Sequence, residues 1–271
     1  MSSDGRISGK VAIVTGAGMR GEPVGTGAAM AIRFAREGAT VAVVDREPEN
    51  AARTQARIQS EGYVSFAAEA DVSRAADCRH VVEEVTRRAG RIDILVNNVG
   101  IIDRHSVTSI DRDTWDHVLA VNLTSVMLMC QHAIPVMAAA GGGAIVNIAS
   151  IAGSLPGGRS AYGTSKAGVI MLSREMAVTY GRANVRVNVV APGHVYASMT
   201  ADASAAARER RRLVSLLGIE GTAWDVAGAA LFLASDESRF VTGAVLPVDG
   251  GASQIQPLSA LDLVAGVPGW I

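Results

Sequence analysis

Tyr162-Gly-Thr-Ser-Lys166 places a phenol and an ammonium four residues apart. On a helix, residues i and i+4 share a face, so both groups point the same way. A phenol titrating near pH ~10 is a poor acid or base at neutrality, and a cation held close stabilises the phenolate and brings it into a useful range. Composition sharpens the pattern, because the chain carries 23 arginines but only two lysines, Lys10 and Lys166. With four tyrosines present, a lysine at this offset arises by chance about 3% of the time if positions are independent. A chain that otherwise uses arginine keeps a compact point charge here. Ser150 lies twelve residues before Tyr162, at the end of Ala-Ile-Val-Asn-Ile-Ala-Ser. Alone it reads as a turn serine. Beside a Tyr/Lys pair its hydroxyl is placed to hydrogen-bond a substrate oxygen.

A second constellation is rich in glycine. The literal pattern GxGxxG occurs as Gly16, Gly18 and Gly21, and Gly25-Thr26-Gly27 runs straight into a helical pattern. We take Gly16, Gly18, Gly25, Thr26 and Gly27 as the set that approaches a pyrophosphate at a helix N-terminus, with Met19 to Val24 bulging out as a longer loop. Asp45 follows 18 residues after Gly27, at the end of the next apolar run. A carboxylate there accepts hydrogen bonds from both adenosine ribose hydroxyls and repels a 2′-phosphate, which favours NAD over NADP. Arg46 pulls the other way, since an arginine at this place can hold that phosphate. An N-cap role for Asp45 ahead of Pro48 is compatible with ribose binding.

These residues need elements to position them. Apolar, β-branched runs at 11–15, 40–45, 65–70, 92–96, 144–148, 185–190 and 244–248 read as strands. Helical patterns at 28–37, 48–61 and 74–89, and longer ones further on, alternate with them. Strands apolar on both faces, joined by helices, imply right-handed crossovers and a doubly wound parallel α/β sheet of about seven strands, helices on both faces. The stretch 118–158 has no Asp, Glu, Lys or Arg, but Asn122, Gln131, His132, Pro135 and a triple glycine interrupt it. It reads as a buried helix and strand, not a membrane anchor. Residues 197–221 break the rhythm with Ala/Ser and then Arg208-Glu-Arg-Arg-Arg212, read as a solvated helix or a mobile cover.

Composition narrows the classes further. The formal net charge is −1 and 49% of residues are apolar, which argues against nucleic-acid or membrane partners and for a packed core. Two cysteines outside any metal-ligand spacing suit a cytoplasmic protein without a bound metal. The start, 1–9, is short and polar, unlike a secretory leader.

Taken in order, Thr15-Gly16-x-Gly18, Gly25-x-Gly27, Asn97-Asn98-Val99-Gly100, Asn122, Ser150, Tyr162-xxx-Lys166 and Pro192-Gly193 resemble the short-chain dehydrogenase/reductase family. The resemblance spans residues 8–252, leaving 253–271 as an extension of a single domain covering 1–271. It implies a one-domain Rossmann fold, a nicotinamide cofactor and a catalytic tetrad of Asn122, Ser150, Tyr162 and Lys166. In such enzymes the tyrosine is the acid/base, the serine orients the substrate oxygen, and the lysine binds the nicotinamide ribose and lowers the tyrosine pKa. The asparagine holds a water in a proton relay. The resemblance also implies that Asp71 and Val72 flank the adenine, Asn98 and Gly100 the adenosine end, and Pro192, Gly193 and Val195 the nicotinamide. Members are typically homotetramers.

Three departures matter. The phosphate loop is five residues longer than the family's usual form, and Val99 replaces an alanine. Ala197 stands where a threonine commonly bonds the carboxamide, with Ser198 and Thr200 both open as substitutes. The tail ending in Trp270-Ile271 is expected to pack over a neighbouring subunit's site. These features predict an NAD-dependent oxidoreductase that interconverts a secondary alcohol and a ketone. An NADP-dependent 3-oxoacyl thioester reductase, a non-catalytic dinucleotide-binding regulator, and epimerisation or elimination on the same fold are the alternatives. Residues near 101–106, 154–159 and 194–217 are expected to line the pocket, with His105, Arg159, His194 and Tyr196 as polar contacts. No basic cluster with a clear pocket position is evident in the sequence, so a small neutral alcohol, polyol or cyclic alcohol is the expected substrate, with a fatty-acyl thioester carbonyl as the competitor.

Overall fold

The computed structural model describes residues 5–265; Trp270 and Ile271, and the expectation attached to them, lie outside that range. Seven parallel strands form the central sheet: β1 (Val11–Thr15), β2 (Thr40–Asp45), β3 (Ser65–Glu69), β4 (Ile94–Asn97), β5 (Gly143–Ile148), β6 (Val185–Pro192) and β9 (Val245–Val248). Their order is β3-β2-β1-β4-β5-β6-β9. The chain reverses winding direction between β1 and β4, so the crevice at the carboxyl ends of these two strands is where ligands bind in such sheets.

One face is covered by α1 (Thr26–Arg36), α2 (Pro48–Ser60) and α8 (Ala223–Ala234). Met30, Phe34, Ile58 and Leu231 are fully buried there against Val14, Val43 and Val96. Each large side chain so buried contributes about 2 kcal/mol. The other face carries α3 (Ala75–Ala89), α4 (Arg112–Leu119), α5 (Ser125–Ala139) and α6 (Ser160–Tyr180). Val81, Met129, Met137 and Val169 pack there on Ile13, Leu95 and Ile145. The π-helical turn Ala120–Thr124 joins α4 to α5. The resulting helix, Arg112–Ala139, is long and apolar enough to cross a membrane, but over half of its most apolar stretch is buried inside the protein. Its apolarity is that of a core helix, as the interrupted pattern implied.

Buried polar groups tie the layers together. Asn97 donates to Asn147 across β4 and β5 at 2.8 Å, and Asn147 donates to Ser173 of α6 at 2.8 Å. Arg186 in β6 donates to the carbonyls of Leu233 and Ser235, closing the C-terminal end of α8. An otherwise open helix end is satisfied in this way.

Several boundaries differ from the sequence pattern. β4 starts at Ile94 rather than Ile92, because Asp93 turns its carboxylate to the Val11 amide and to Arg91. β6 continues through Pro192 because β9 pairs with it up to Val248. Residues 197–221 form a short 3-10 turn (Ser198–Thr200) and α7 (Ala205–Leu213). The pair β7 (Val195–Tyr196) and β8 (Gly221–Thr222) closes this excursion into a loop. A final helix, α9, covers Pro257–Ala265.

Candidate active site

Ser150, Tyr162 and Lys166 meet at the carboxyl end of β5. Ser150 caps the short turn Ile151–Gly153, its hydroxyl accepting from the Ala152 amide at 3.1 Å. Tyr162 sits in the first turn of α6, and Lys166 lies one turn on with its side chain nearly wholly buried. The Lys166 ammonium donates to the Ile148 carbonyl at 2.9 Å and stands 6.0 Å from the centre of the Tyr162 ring. A β-carbon on Gly100 would come 3.2 Å from the Lys166 nitrogen and 3.6 Å from Asn122 Oδ1. Glycine at the end of β4 therefore leaves room for this group to converge.

Burial acts on both titrating groups. It holds the Tyr162 phenol above its ordinary value, a rise that the Ser150 hydroxyl and the Arg159 charge partly offset. It pushes the Lys166 ammonium down to about 8. The expected lowering of the phenol by the lysine is thus not what this geometry produces: the opposing influences are Ser150 and Arg159, and desolvation outweighs them.

Asn122 is positioned by α4 and α5. It lies in the π turn, fully buried, and its amide clamps Ile101, accepting from the Ile101 amide at 2.8 Å and donating to the Ile101 carbonyl at 2.9 Å. It also donates to Ser165 at 3.0 Å. Both ends of the amide are occupied in holding the loop after β4 against α6.

The glycine turn follows β1. α1 begins at Thr26 with Gly25 as its N-cap, no side chain caps it, and its first turn holds no acidic residue. Uncapped amides at a helix N-terminus attract an anion. Gly21 lies out in the exposed loop, so Gly25 and Gly27, not Gly21, complete the turn. A β-carbon on Gly27 would fall on the Gly16 carbonyl oxygen, and one on Gly18 would lie 2.6 Å from Asp45 Oδ2. Thr26 donates to Asn98 Oδ1 at 2.7 Å, and Asn98 donates to the carbonyls of Thr15 and Gly16. Asn98 therefore braces the turn.

Asp45 is buried at the end of β2 and accepts from the amides of Gly18 (2.9 Å) and Glu47 (3.1 Å). The N-cap of α2 is Glu47, not Asp45. Arg46 points outward with a 59% exposed side chain beside Glu47. Asp71 closes a turn through Ser73: burial acts to raise its carboxyl, but the Ser73 hydrogen bonds and the charges of Arg46 and Arg74 hold it below its usual range. Val72 is buried in the core. An open cleft of about 480 Å³ runs beside β3, lined in part by Arg46, Asp71 and Arg74. It borders the dinucleotide end and contains none of the catalytic group.

The comparisons with known proteins agree with this geometry. A family model described as enoyl-(acyl carrier protein) reductase matches residues 22–253. The 3-oxoacyl-[acyl-carrier-protein] reductase of Thermotoga maritima is 38% identical over 252 residues, covering 91% of this chain and 98% of its own. A solved structure from Burkholderia xenovorans, assigned to the short-chain dehydrogenases/reductases, is 42% identical with a TM-score of 0.88, over 93% of this chain and 99% of its own. A gluconate 5-dehydrogenase of Burkholderia cenocepacia, solved with NADP and tartrate, is 33% identical with a TM-score of 0.87, over 94% of this chain and 100% of its own. The chain belongs to the short-chain dehydrogenase/reductase family. It is an oxidoreductase of the kind that acts on CH–OH groups.

Within this dehydrogenase/reductase, two further features were not visible in the sequence. Asp103, nearly buried in the loop after β4, accepts from the Tyr162 amide at 2.7 Å and the His105 amide at 2.9 Å. It thereby supplies an acceptor to the third residue of α6, whose own N-cap, Arg159, offers none. The second feature concerns the place of the usual threonine. Thr200 turns its hydroxyl onto the Val195 carbonyl at 3.0 Å and takes the Ala197 amide at 3.2 Å. Ser198 instead sits against Gly25, its hydroxyl 2.7 Å from where a β-carbon would stand. Pro192 ends β6, Gly193 donates to the Val248 carbonyl, and Val195 begins β7.

Proposed function

We propose that this enzyme uses NAD to interconvert a secondary alcohol and a ketone, with Tyr162 as the acid/base. The observation that carries this reading is the convergence of Ser150, Tyr162 and Lys166 on the crevice that also opens at Gly16 and Gly100. The dinucleotide fits the residues present: the uncapped start of α1 suits a pyrophosphate, and β-carbons on Gly18 or Gly27 would fill the cradle. Asp45 suits the adenosine ribose, because each of its oxygens retains acceptor capacity beyond its one backbone amide. Arg46 turned outward supports NAD over NADP, although a structural relative was solved with NADP.

The nicotinamide, when bound, supplies or accepts the hydride. Ser150 hydrogen-bonds the substrate oxygen and orients it beside Tyr162. In oxidation Tyr162 takes the hydroxyl proton, and in reduction it returns one. Lys166 holds the ribose side of the site, and Asn122 keeps the loop after β4 in register with α6. Ser198, set against Gly25, would contact the dinucleotide in place of the missing threonine. We assign the enzyme to the cytoplasm as a homotetramer. The buried free thiols Cys78 and Cys130 support a reducing compartment, and the exposed Met171, Val178 and Phe240 are suited to subunit contacts.

The test is Tyr162→Phe with turnover followed at 340 nm and dinucleotide affinity by calorimetry. Turnover is expected to vanish with NADH affinity kept; retained turnover refutes the assignment. Titration with NAD⁺, NADH, NADP⁺ and NADPH then settles the cofactor. The similarity to the Thermotoga reductase favours one second reading, reduction of a 3-oxoacyl thioester. Tighter NADPH binding with turnover of an acetoacetyl thioester would establish it instead.

A further inference from the structure

Thr54 lies in the middle of α2 and is fully buried. A threonine inside a helix commonly returns its hydroxyl proton to the carbonyl four residues back. Here that carbonyl, of Asn50, is 3.5 Å away, whereas the Ala17 carbonyl in the glycine turn is 2.7 Å away. A hydroxyl carries one proton, so the close bond leaves α2 and holds the turn. The Asn50 carbonyl reaches the turn as well, accepting from the Met19 amide at 3.0 Å.

These contacts bracket Gly18. On one side Ala17 donates to the Val44 carbonyl at 3.0 Å and accepts from Thr54; on the other, Met19 is held by Asn50. Between them the Gly18 amide donates to Asp45 Oδ2 at 2.9 Å. A β-carbon on Gly18 would lie 2.7 Å from that of Asn50, so the turn sits directly against α2. Immediately after Met19 the chain enters Arg20-Gly21-Glu22, which is exposed, before α1 begins at Thr26. An exposed excursion adds conformational freedom beside the residues that must approach a pyrophosphate. The bond from Thr54 fixes the backbone just before that freedom begins.

We propose that Thr54 is a positioning residue for the dinucleotide: through the Ala17 carbonyl it holds the glycine turn and the Asp45 carboxylate in the arrangement that receives the adenosine half. The proposal deepens the oxidoreductase reading above and rests on it. Thr54 is wholly buried, so it acts through Ala17 and Gly18 and not on the cofactor itself. Removing its hydroxyl takes that donor from the Ala17 carbonyl. The turn then loosens, the Gly18 amide leaves Asp45 Oδ2, and the carboxylate that faces the ribose is free to rotate.

The test compares Thr54→Val, which keeps the branched shape without the hydroxyl, with Thr54→Ser, which keeps the hydroxyl, by calorimetric titration of NADH and of ADP-ribose. In Thr54→Val both affinities are expected to fall about tenfold, the scale of one lost hydrogen bond with its buried partner left unpaired. The kcat at saturating dinucleotide is expected to stay at the wild-type value, and Thr54→Ser to recover most of the affinity. Thr54→Ala, with its better helix propensity, is expected to show the same loss and reports it if valine strains α2. Unchanged affinity in Thr54→Val and Thr54→Ala, with or without a lowered Tm, reduces Thr54 to packing and overturns the proposal. So does a loss for NADH that ADP-ribose does not share, a kcat that falls in step with affinity, or a Thr54→Ser variant as weak as Thr54→Val. Wild-type protein that binds neither probe refutes the dinucleotide reading itself, and the proposal with it.

Discussion

Asp103 offers a sharp perturbation, because one buried carboxylate holds two backbone amides 57 residues apart, those of His105 and Tyr162. Asp103→Ala leaves both part-buried donors without their acceptor. At about 1–3 kcal/mol per orphaned donor, with partial relief by water, the loss is about 3 kcal/mol. For a domain of this size that lowers Tm by roughly 6–12 °C. The same bond fixes the first turn of α6, so Tyr162 shifts relative to Ser150, and a displacement near 1 Å lowers kcat up to about a hundredfold. Asp103 touches no reacting atom and acts as a positioning residue. Its signature is a fall in kcat with KM for the dinucleotide nearly unchanged, together with partial rescue by Asp103→Asn, which satisfies one of the two donors. Steady-state kinetics and scanning calorimetry on the three proteins decide the matter. A normal kcat in Asp103→Ala, or a Tm loss with no kinetic change, refutes the argument that this carboxylate places the phenol.

Other expectations follow from the same contacts. Gly18→Ala drives a methyl onto Asp45 Oδ2 and is expected to weaken NAD binding about tenfold by calorimetry, the scale of one disrupted charge-assisted bond, with little change in Tm. Ser198→Ala is expected to weaken binding of the dinucleotide, whereas Thr200→Ser, which keeps the hydroxyl on its backbone partners, leaves it unchanged. Lys166 carries a pH signature. Its folded-state value of about 8 lies below the ordinary 10.5, so the unfolded chain binds more protons between those values and stability rises with pH across that window. Below pH 8 the fold is less stable by about 3 kcal/mol than it is above pH 10.5, where the lysine is neutral in both states. Lys166→Met should therefore melt higher than wild type at pH 7 while losing turnover, and that advantage should fade by about pH 10.5. A Tm difference independent of pH would contradict the burial argument.

What the sequence made legible were patterns confined to a single element or turn. The i, i+4 pair Tyr162/Lys166 lies within one helix, the strand runs carry their own apolar signature, and Asp45 falls at the end of one of them. Even the ambiguous glycines resolve by a local rule, since Gly25 and Gly27 are the ones that lead directly into helical residues. The contacts that set the chemistry between elements left no such mark. Asn122 meets Ser165 across 43 residues and Asp103 meets Tyr162 across 59, and neither spacing has a period that a window along the chain could detect. The same reason hid the fold of 197–221: Arg208 and Arg211 looked like part of a solvated run because their neighbours in sequence are charged, yet both meet Glu220. The β7–β8 pairing and the stacking of Arg208 on Tyr196 fold that run back onto the segment after β6.

The electrostatics carry the argument one step further. Helical spacing says that Lys166 and Tyr162 share a face, but the sign of their mutual influence depends on how much water each retains. Here desolvation acts on both, pushing the phenol up and the ammonium down, so the neutral forms of both are favoured together. A positive charge closer to the solvent-facing edge, such as Arg159, can lower the phenol without incurring the same desolvation. Substituting Arg159 by glutamine should accordingly shift to higher pH the limb of kcat that Tyr162 sets, the rising limb in oxidation and the falling limb in reduction. An unshifted pH profile would mean that the Arg159 charge does not reach the phenol.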